Sequence, residues 1–355
     1  MNDLTPDSAL VQSTSLETAT ALPAQVYVDA RFAVDERERV FAPSWQLVGH
    51  VSSIPGPGDH LVSEAAGVPL VIVRGEDGTV RALHNVCRHR AGPLALEDGK
   101  GARSLRCRYH GWNYALDGCL KAAIEMDGAR DFEPASIRLP QARIAEWQGF
   151  LFAAIGAVPE LEEVLAGISE RMAPQRLDAY VRTAREHYDI ACDWKVYVDN
   201  YLEGYHVPHI HPALNRMLDY RSYRTETARW HSLQWSPLES SADLYGSGDA
   251  LYWFVWPNTM LNVLPGRVQT NRVLPLEPGR CRVVFDYYYA DAGDAAAQAR
   301  DREFSHLVQH EDISICEAVQ RGLASGSYRA GRLNPARESG VHHFQELWRA
   351  AMRRA

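Results

Sequence analysis

The chain of 355 residues contains no unbroken apolar run of about 18 residues, the length a helix needs to cross a bilayer. Its net charge of −8 comes without any basic block, so nothing in it complements a nucleic-acid backbone. Cysteine is scarce, and six in this length are too few for a disulfide scaffold. The opening residues, through Asp3, Asp7 and Glu17, lack the basic-then-apolar order of a signal peptide. No GxGxxG dinucleotide-binding fingerprint is present. There are no internal repeats and no extended low-complexity tract. These absences lead to the expectation of a soluble cytoplasmic protein with no membrane and no nucleic-acid partner.

What is present is ordinary globular material, 46% hydrophobic and 23% charged, long for one domain and comfortable for two. Residues 1 to about 25 are rich in Ser, Thr and Ala and are expected to fray. Phe32 to Gln46 reads as a short helix. From Trp45 to Ile155 the pattern is one of short strands: Pro69-Leu-Val-Ile-Val-Arg, the turn Gly75-Glu-Asp-Gly78 and Val80-Arg-Ala-Leu make a hairpin, and Gln148-Gly-Phe-Leu-Phe-Ala closes the region. Leu161 to Met172 has helical spacing. Beyond it the chain is mixed. A strand near Thr183–Ile190 precedes a helix from Trp194 to about Val207. Strands follow at Leu251–Val255, Met260–Val263, Val268–Pro275 and Cys281–Tyr289. A long helix spans about Ala295 to Leu323, and a last one covers Val341–Met352. The fold class is therefore α+β: an all-β domain over 45–157, then an α+β domain with an antiparallel sheet over 158–355, with residues 1–44 packing on the latter.

The cysteines fall into two groups. Cys119, Cys192, Cys281 and Cys316 read as small buried side chains or idle thiols. Cys87 and Cys107 each have a histidine close behind, in Cys87-Arg-His89 and Cys107-Arg-Tyr-His110. Two thiolates and two imidazoles can bind zinc or an iron–sulfur centre. In a Rieske centre two Cys hold one iron and two His the other, so each short motif would donate one ligand to each iron. Gly92-Pro93 and Gly111-Trp112 would let the loops turn tightly.

A second constellation lies in Asp193-Trp-Lys-Val-Tyr-Val-Asp-Asn200-Tyr-Leu-Glu203-Gly-Tyr-His206-Val-Pro-His209-Ile-His211. On a helix Glu203 and His206 share a face. Pro208 disfavours a continued helix at Val207, so His209 and His211 are expected where the helix is distorted or ended. Two imidazoles and one carboxylate with open positions suit Fe(II) and O₂. Spacing alone leaves open whether His209 or His211 joins His206. Further along, on the long helix, stands the acidic pair Glu311-Asp312.

The blocks Asn85-Val-Cys-Arg-His-Arg-Ala-Gly92 and Cys107-Arg-Tyr-His-Gly-Trp-Asn-Tyr114 resemble the Rieske signature of the Rieske non-haem iron oxygenase alpha subunits. The downstream block resembles the Glu-x₂-His-x₄-His motif of the same family. The resemblance runs over about residues 40 to 345 and is greatest to the choline monooxygenase and betaine or carnitine oxygenase branch. Trp256-Pro-Asn-Thr-Met-Leu-Asn262, Val283-Val-Phe-Asp-Tyr-Tyr288 and Cys316-Glu-Ala-Val-Gln-Arg-Gly-Leu323 are among the matching stretches.

The resemblance implies a [2Fe–2S] cluster on Cys87, His89, Cys107 and His110, and a mononuclear Fe(II) on His206, His211 and Asp312, with Glu311 the competitor for the last place. The catalytic domain would have the helix-grip, START-like fold. Glu203 would link His110 of one protomer to His206 of the next in a homotrimer, and Asn200 would stand near the iron. Tyr109 and Ser104 are candidates to hydrogen-bond the cluster sulfurs. Gln345 stands where a histidine is often found.

The implied activity is oxygenation of a small organic substrate by O₂, with electrons from an NAD(P)H-dependent flavin or ferredoxin-type reductase. The preferred substrate is a quaternary ammonium or betaine-like compound, hydroxylated and possibly N-demethylated. Tyr201, Tyr205, Trp230, Trp235, Tyr252, Trp253, Phe254 and Trp256 are candidates for cation–π contacts. The alternatives are an oxygenase acting on an aromatic acid, a Rieske electron carrier without catalysis, and a zinc-stabilised binding protein.

Overall fold

The structure, a computed structural model, describes residues 12–238 and 245–353. The chain divides into two compact units, one of Phe41–Leu161 with Arg176–Ala179, the other of Met1–Val40, Glu162–Gln175 and Tyr180–Ala355.

In the first unit β1 (Gln46–His50), β2 (His60–Ala65), β3 (Val68–Arg74), β4 (Val80–His84), β8 (Gln141–Trp147) and β9 (Phe150–Ala154) form an antiparallel sheet in the order β1-β9-β8-β4-β3-β2. β5 (Leu105–Arg106), β6 (Asn113–Tyr114) and β7 (Leu120–Ala122) form a small second sheet. The hairpin turn closes because Asp77 Oδ1 accepts from Thr79 N at 3.0 Å while Gly75 N donates to Thr79 O at 2.8 Å. Alternation along β3 splits its side chains between two cores. Val71 and Val73 pack with Leu83, Cys87, Cys107, Trp112 and Tyr114. Leu70 and Ile72 pack with Leu61, Ala82 and Leu151. At about 1.5–3 kcal/mol for each buried aliphatic side chain, the first of these cores holds the two Cys/His loops on a rigid base.

The second unit is built on one seven-stranded antiparallel sheet. β10 (Val181–Ile190), β11 (Arg224–Thr227), β12 (His231–Pro237), β13 (Asp249–Val255), β14 (Thr259–Leu264), β15 (Arg267–Glu277) and β16 (Arg280–Tyr289) run in the order β10-β16-β15-β14-β13-β12-β11. Its helices are α1 (Gln25–Val28), α2 (Arg31–Glu36), α3 (Leu161–Val164, which begins on the last residue of the first unit), α4 (Ile168–Met172), α5 (Trp194–Tyr201), α6 (Val207–Ile210), α7 (Pro212–Met217), α8 (Ala295–Ala324) and α9 (Ser339–Arg353). Asp294 caps α8 by accepting from Ala297 N at 2.9 Å. The buried stripe of α8 is largely polar: Gln298, Asp301, Ser305, Gln309 and Cys316 recur every three to seven residues along one face. That stripe reaches the sheet through Tyr289 to Asp301, Tyr287 to Ser305 and Ser305 to Gln269.

Several sequence expectations are corrected here. The helix expected over Leu161–Met172 is two pieces, because Gly167 adopts φ +88° between them. The helix expected from Trp194 to Val207 stops at Tyr201. Pro208 does not end it but sits in the first turn of a separate helix, α6, where its missing N–H costs nothing. Glu203 and His206 therefore meet across a turn rather than along a helix face. The helix expected over Phe32–Gln46 ends at Phe41, and Gln46 opens β1. β11 and β12 carry no alternating apolar signal: β11 is an edge strand of Arg, Thr and Glu, and β12 buries His231, Ser232 and Gln234.

Of the N-terminal stretch expected to fray, residues 1–11 lie outside the described residues. The rest is tied down: Leu22 is buried and its N–H donates to Gln345 Oε1 at 3.0 Å. Gln345 also donates to Asp199 Oδ1 at 3.2 Å. Behind α5 lies a buried charged group. Glu36 accepts from the Trp194 and Trp348 indoles at 2.8 and 2.7 Å, and the Lys195 ammonium lies 2.7 Å from both Glu36 and Asp193.

Candidate metal centres

The two Cys/His loops close in the same way. Cys87 N donates to Gly92 O at 2.9 Å and Ala91 N to Cys87 O at 3.0 Å; Cys107 N donates to Trp112 O and Gly111 N to Cys107 O, both at 2.9 Å. Each loop turns on a residue of positive φ, Ala91 at 57° and Gly111 at 72°. Asn85 holds the first loop from behind, accepting from Leu94 and Ala95 N–H at 2.8 and 3.0 Å and donating to Ala95 O at 2.7 Å. The tips approach so closely that a Cβ on Gly92 would lie 2.9 Å from Cys107 Sγ. Cys87 and Cys107 are buried free thiols. The His89 and His110 rings lie 4.6 Å apart, and His89 stacks on Trp112 at 4.9 Å.

His89 Nδ1 is buried and has no hydrogen-bond partner, which is the state of a nitrogen reserved for a metal. Two sulfurs and two ring nitrogens on facing tips fit a Rieske centre. Tyr109 is exposed and packs on the His110 ring, so it is not the sulfur's partner that the sequence suggested. That partner is Tyr114, whose hydroxyl lies 3.3 Å from Cys87 Sγ. Arg88 N–H donates into the Tyr114 oxygen at 3.0 Å, which leaves the phenol proton free to point at sulfur. Burial and this contact push the Tyr114 hydroxyl well above its usual range.

In the second unit Asp193 caps α5, accepting from Lys195 N at 3.0 Å, and the last turn of α5 presents Asn200. The chain then wraps around Glu203. Its Oε2 accepts from the N–H groups of Tyr205 and His206, and its Oε1 accepts from His206 Nδ1 at 2.5 Å. One carboxylate thus fixes both the turn and the ring.

α6 ends at His211, which is 1% exposed. Its Nδ1 donates to Glu311 Oε2 at 2.7 Å, while its Nε2 lies 3.0 Å from Asp312 Oδ1. His206 Nε2 is 3.8 Å from the same Asp312 oxygen, and Asn200 Nδ2 donates to it at 2.7 Å. The ligand atoms of His206, His211 and Asp312 all lie within 4.8 Å of one another. Two nitrogens and a carboxylate oxygen converging in this way suit a non-haem iron. Burial alone would depress His211, but the Asp312 and Glu311 carboxylates outweigh it and hold the ring above the usual histidine range. His209 is exposed on α6 and stands outside the group. Glu311 and Asp312 take different places: Asp312 faces both Nε2 atoms, and Glu311 holds the far nitrogen of His211.

The three side chains open on a cavity of about 110 Å³. Of the eight aromatic candidates only Tyr201 and Tyr252 line it. Trp253 points to the opposite face of β13, Phe254 and Trp256 pack on Phe344, and Tyr205 is exposed. The other aromatic lining comes from Tyr197, Tyr223, Tyr245, Phe285 and Phe304. Tyr201 donates to Asn262 Oδ1 at 2.7 Å and Tyr223 to Gln234 Oε1 at 2.9 Å, which fixes both rings.

Residues 44–133 match the Rieske [2Fe–2S] domain and residues 177–354 the ring hydroxylating alpha subunit (catalytic domain). The chain belongs to the Rieske non-haem iron oxygenases, as an alpha subunit of the ring-hydroxylating type. It is 39% identical to the chloroplastic choline monooxygenase of Arabidopsis thaliana, over 94% of this chain and 83% of that protein. To the carnitine monooxygenase oxygenase subunit of Escherichia coli (strain K12) it is 31% identical, over 98% of each. The quaternary ammonium Rieske monooxygenase CntA in complex with L-carnitine superposes with a TM-score of 0.86 at 26% identity, over 96% of this chain and all of that one. Naphthalene 1,2-dioxygenase from Rhodococcus sp. shares the fold at a TM-score of 0.77, 19% identity and 94% coverage of each chain. The protein is accordingly an oxidoreductase, the oxygenase component of a monooxygenase that carries a Rieske cluster and a mononuclear iron. Among the described residues no helix is long and apolar enough to cross a membrane.

Proposed function

We propose that this oxygenase hydroxylates a quaternary ammonium compound, with electrons from a separate NAD(P)H-dependent reductase of flavin or ferredoxin type, as a cytoplasmic homotrimer. The observation that carries the reading is the His206, His211 and Asp312 group opening on a cavity walled by fixed tyrosines. Tyrosine faces attract a cation that has no N–H to donate, by about 0.5–2 kcal/mol per ring once water is excluded. The relatives named for choline and carnitine oxidation support the same class.

In this reading Cys87, His89, Cys107 and His110 hold the cluster, and His206, His211 and Asp312 hold the iron. When bound, the iron activates dioxygen for insertion into a C–H bond. The chain's own groups set the geometry. Glu203 pins His206, Glu311 pins His211, and Asn200 orients Asp312 by donating to Oδ1. Glu203 would also receive His110 of a neighbouring protomer, which calls for head-to-tail closure into a trimer. The six free cysteines suit a reducing compartment.

Substrate-dependent O₂ uptake with a surrogate reductase tests the reading, with quaternary amines screened beside aromatic acids. Turnover is expected with quaternary amines. Turnover with aromatic acids alone would contradict it.

A further inference from the structure

Among the described residues that line the iron-site cavity, the only lysine or arginine is Arg267, and its charge is already answered. Its Nε lies 3.0 Å from Asp301 Oδ1, Nη1 donates to Gln269 Oε1 at 2.9 Å, and Nη2 donates to the Tyr245 hydroxyl at 3.2 Å. Asp301 accepts in addition from Tyr245 at 2.5 Å and Tyr289 at 2.6 Å. The pair is buried and neutral as a whole. A carboxylate arriving beside it would be repelled by Asp301 as it is attracted by Arg267, and would give up its water for little gain.

What the wall offers instead is a neutral donor. Gln309 stands on α8 three residues before Asp312, is 2% exposed, and lines the cavity. The Tyr197 hydroxyl donates to its Oε1 at 2.7 Å, which fixes the amide with Nε2 turned the other way. Nε2 is buried and has no hydrogen-bond partner. A buried donor left unpaired costs about 1–3 kcal/mol, so its place in a ligand cavity points to an acceptor that the ligand brings. Arg267, Gln269 and Asn271 continue the polar wall along one face of β15, Gln269 donating to Asn271 at 2.8 Å.

Resting on the quaternary ammonium reading, we propose that Gln309 Nε2 donates to a neutral oxygen on the substrate, so that the site selects a quaternary ammonium alcohol over one that ends in a carboxylate. The aromatic side chains take the cationic end and Gln309 reads the hydroxyl. A donor of this kind discriminates strongly against an analogue that lacks its partner.

The test is calorimetric titration of the oxidised holoenzyme, without reductase, with choline, ethyltrimethylammonium, trimethylglycine and γ-butyrobetaine. Choline is expected to bind about ten-fold more tightly than ethyltrimethylammonium, and by at least that margin more tightly than either carboxylate. In Gln309→Leu the advantage of choline over ethyltrimethylammonium should shrink to about two-fold or less, with ethyltrimethylammonium itself unchanged. Carboxylates that bind as well as choline, or a variant that weakens both cations alike, would overturn the proposal. Should Gln309→Leu not fold, the four wild-type affinities decide. Failure of every quaternary amine to bind would sink the proposed function as well, whereas tight binding of the carboxylates would sink this inference alone.

Discussion

The paired Cys/His loops draw their four donors from between positions 87 and 110, on two turns closed by the same pair of backbone hydrogen bonds. The His206, His211 and Asp312 group draws its donors from a turn, the end of a short helix and the middle of a long one. The first region is held by its own backbone and by the apolar core beneath it. The second is held by carboxylates, Glu203 on His206 and Glu311 on His211, and by a buried ion cluster behind α5. A site made by local backbone closure survives changes elsewhere, and a site assembled from distant elements inherits the stability of each.

The largest effect expected of this difference is a clean separation of the centres. Cys107→Ser should abolish the visible absorption of the cluster while iron still binds at the second site. His211→Ala should lose the second iron, leave the cluster reducible, and lower substrate oxidation by at least about a thousand-fold, since chemistry has nowhere else to occur. Metal analysis and absorption spectra on both variants check this. Loss of both centres in either variant would break the comparison.

A middling effect belongs to the carboxylates. Glu311→Gln keeps shape but weakens the hold on His211 Nδ1, and iron affinity at the second site should fall by about 10–100-fold. Competition with a chelator measures it. Cluster content should not change.

Much of the first site was legible because all its donors, and the turns that aim them, sit in one short stretch. Tyr114 escaped because the bond from its hydroxyl to Cys87 depends on where β6 places it. In the second site the residues alone left open both His209 against His211 and Glu311 against Asp312, and the family resemblance made each choice. Adjacent residues on a helix differ by a rotation of about 100°, and only the packed position of α8 shows which faces the Nε2 atoms. Gln309 and Asp301 lie on that same face. A run of polar residues at helical spacing on an otherwise ordinary helix was the signal, and it reads as a solvated face until the sheet is placed against it. Of the aromatic candidates on β13 only Tyr252 reaches the cavity: strand alternation sends Trp253 to the opposite face, and Phe254 packs on Phe344.

A smaller effect lies in the cluster. Tyr114→Phe removes the donor to Cys87 Sγ, and without it the reduced cluster loses stabilisation, so its potential should become more negative. Redox titration reads this directly, and an unchanged potential would remove Tyr114 from the account.

The smallest concerns pH. Burial pushes the Asp199 carboxyl, next to Asn200 on α5, up to about 7 against an ordinary 3.8, although hydrogen bonds from Tyr27 and Gln345 favour its ionised form. The folded chain then keeps a proton that the unfolded chain releases, so this contribution to stability is full below about pH 4 and is lost as pH rises through about 7. Asp199→Asn cannot ionise and should flatten the fall of Tm across that window. An unaltered slope would show that the carboxyl is not held protonated.

The central claim is that two independent iron centres share this chain, and iron and acid-labile sulfide counted in wild type and Asp312→Ala test it most directly. Wild type should hold about three irons and two sulfides per chain, and the variant about two of each. Zinc at the Cys/His loops, or three irons retained in Asp312→Ala, would contradict it.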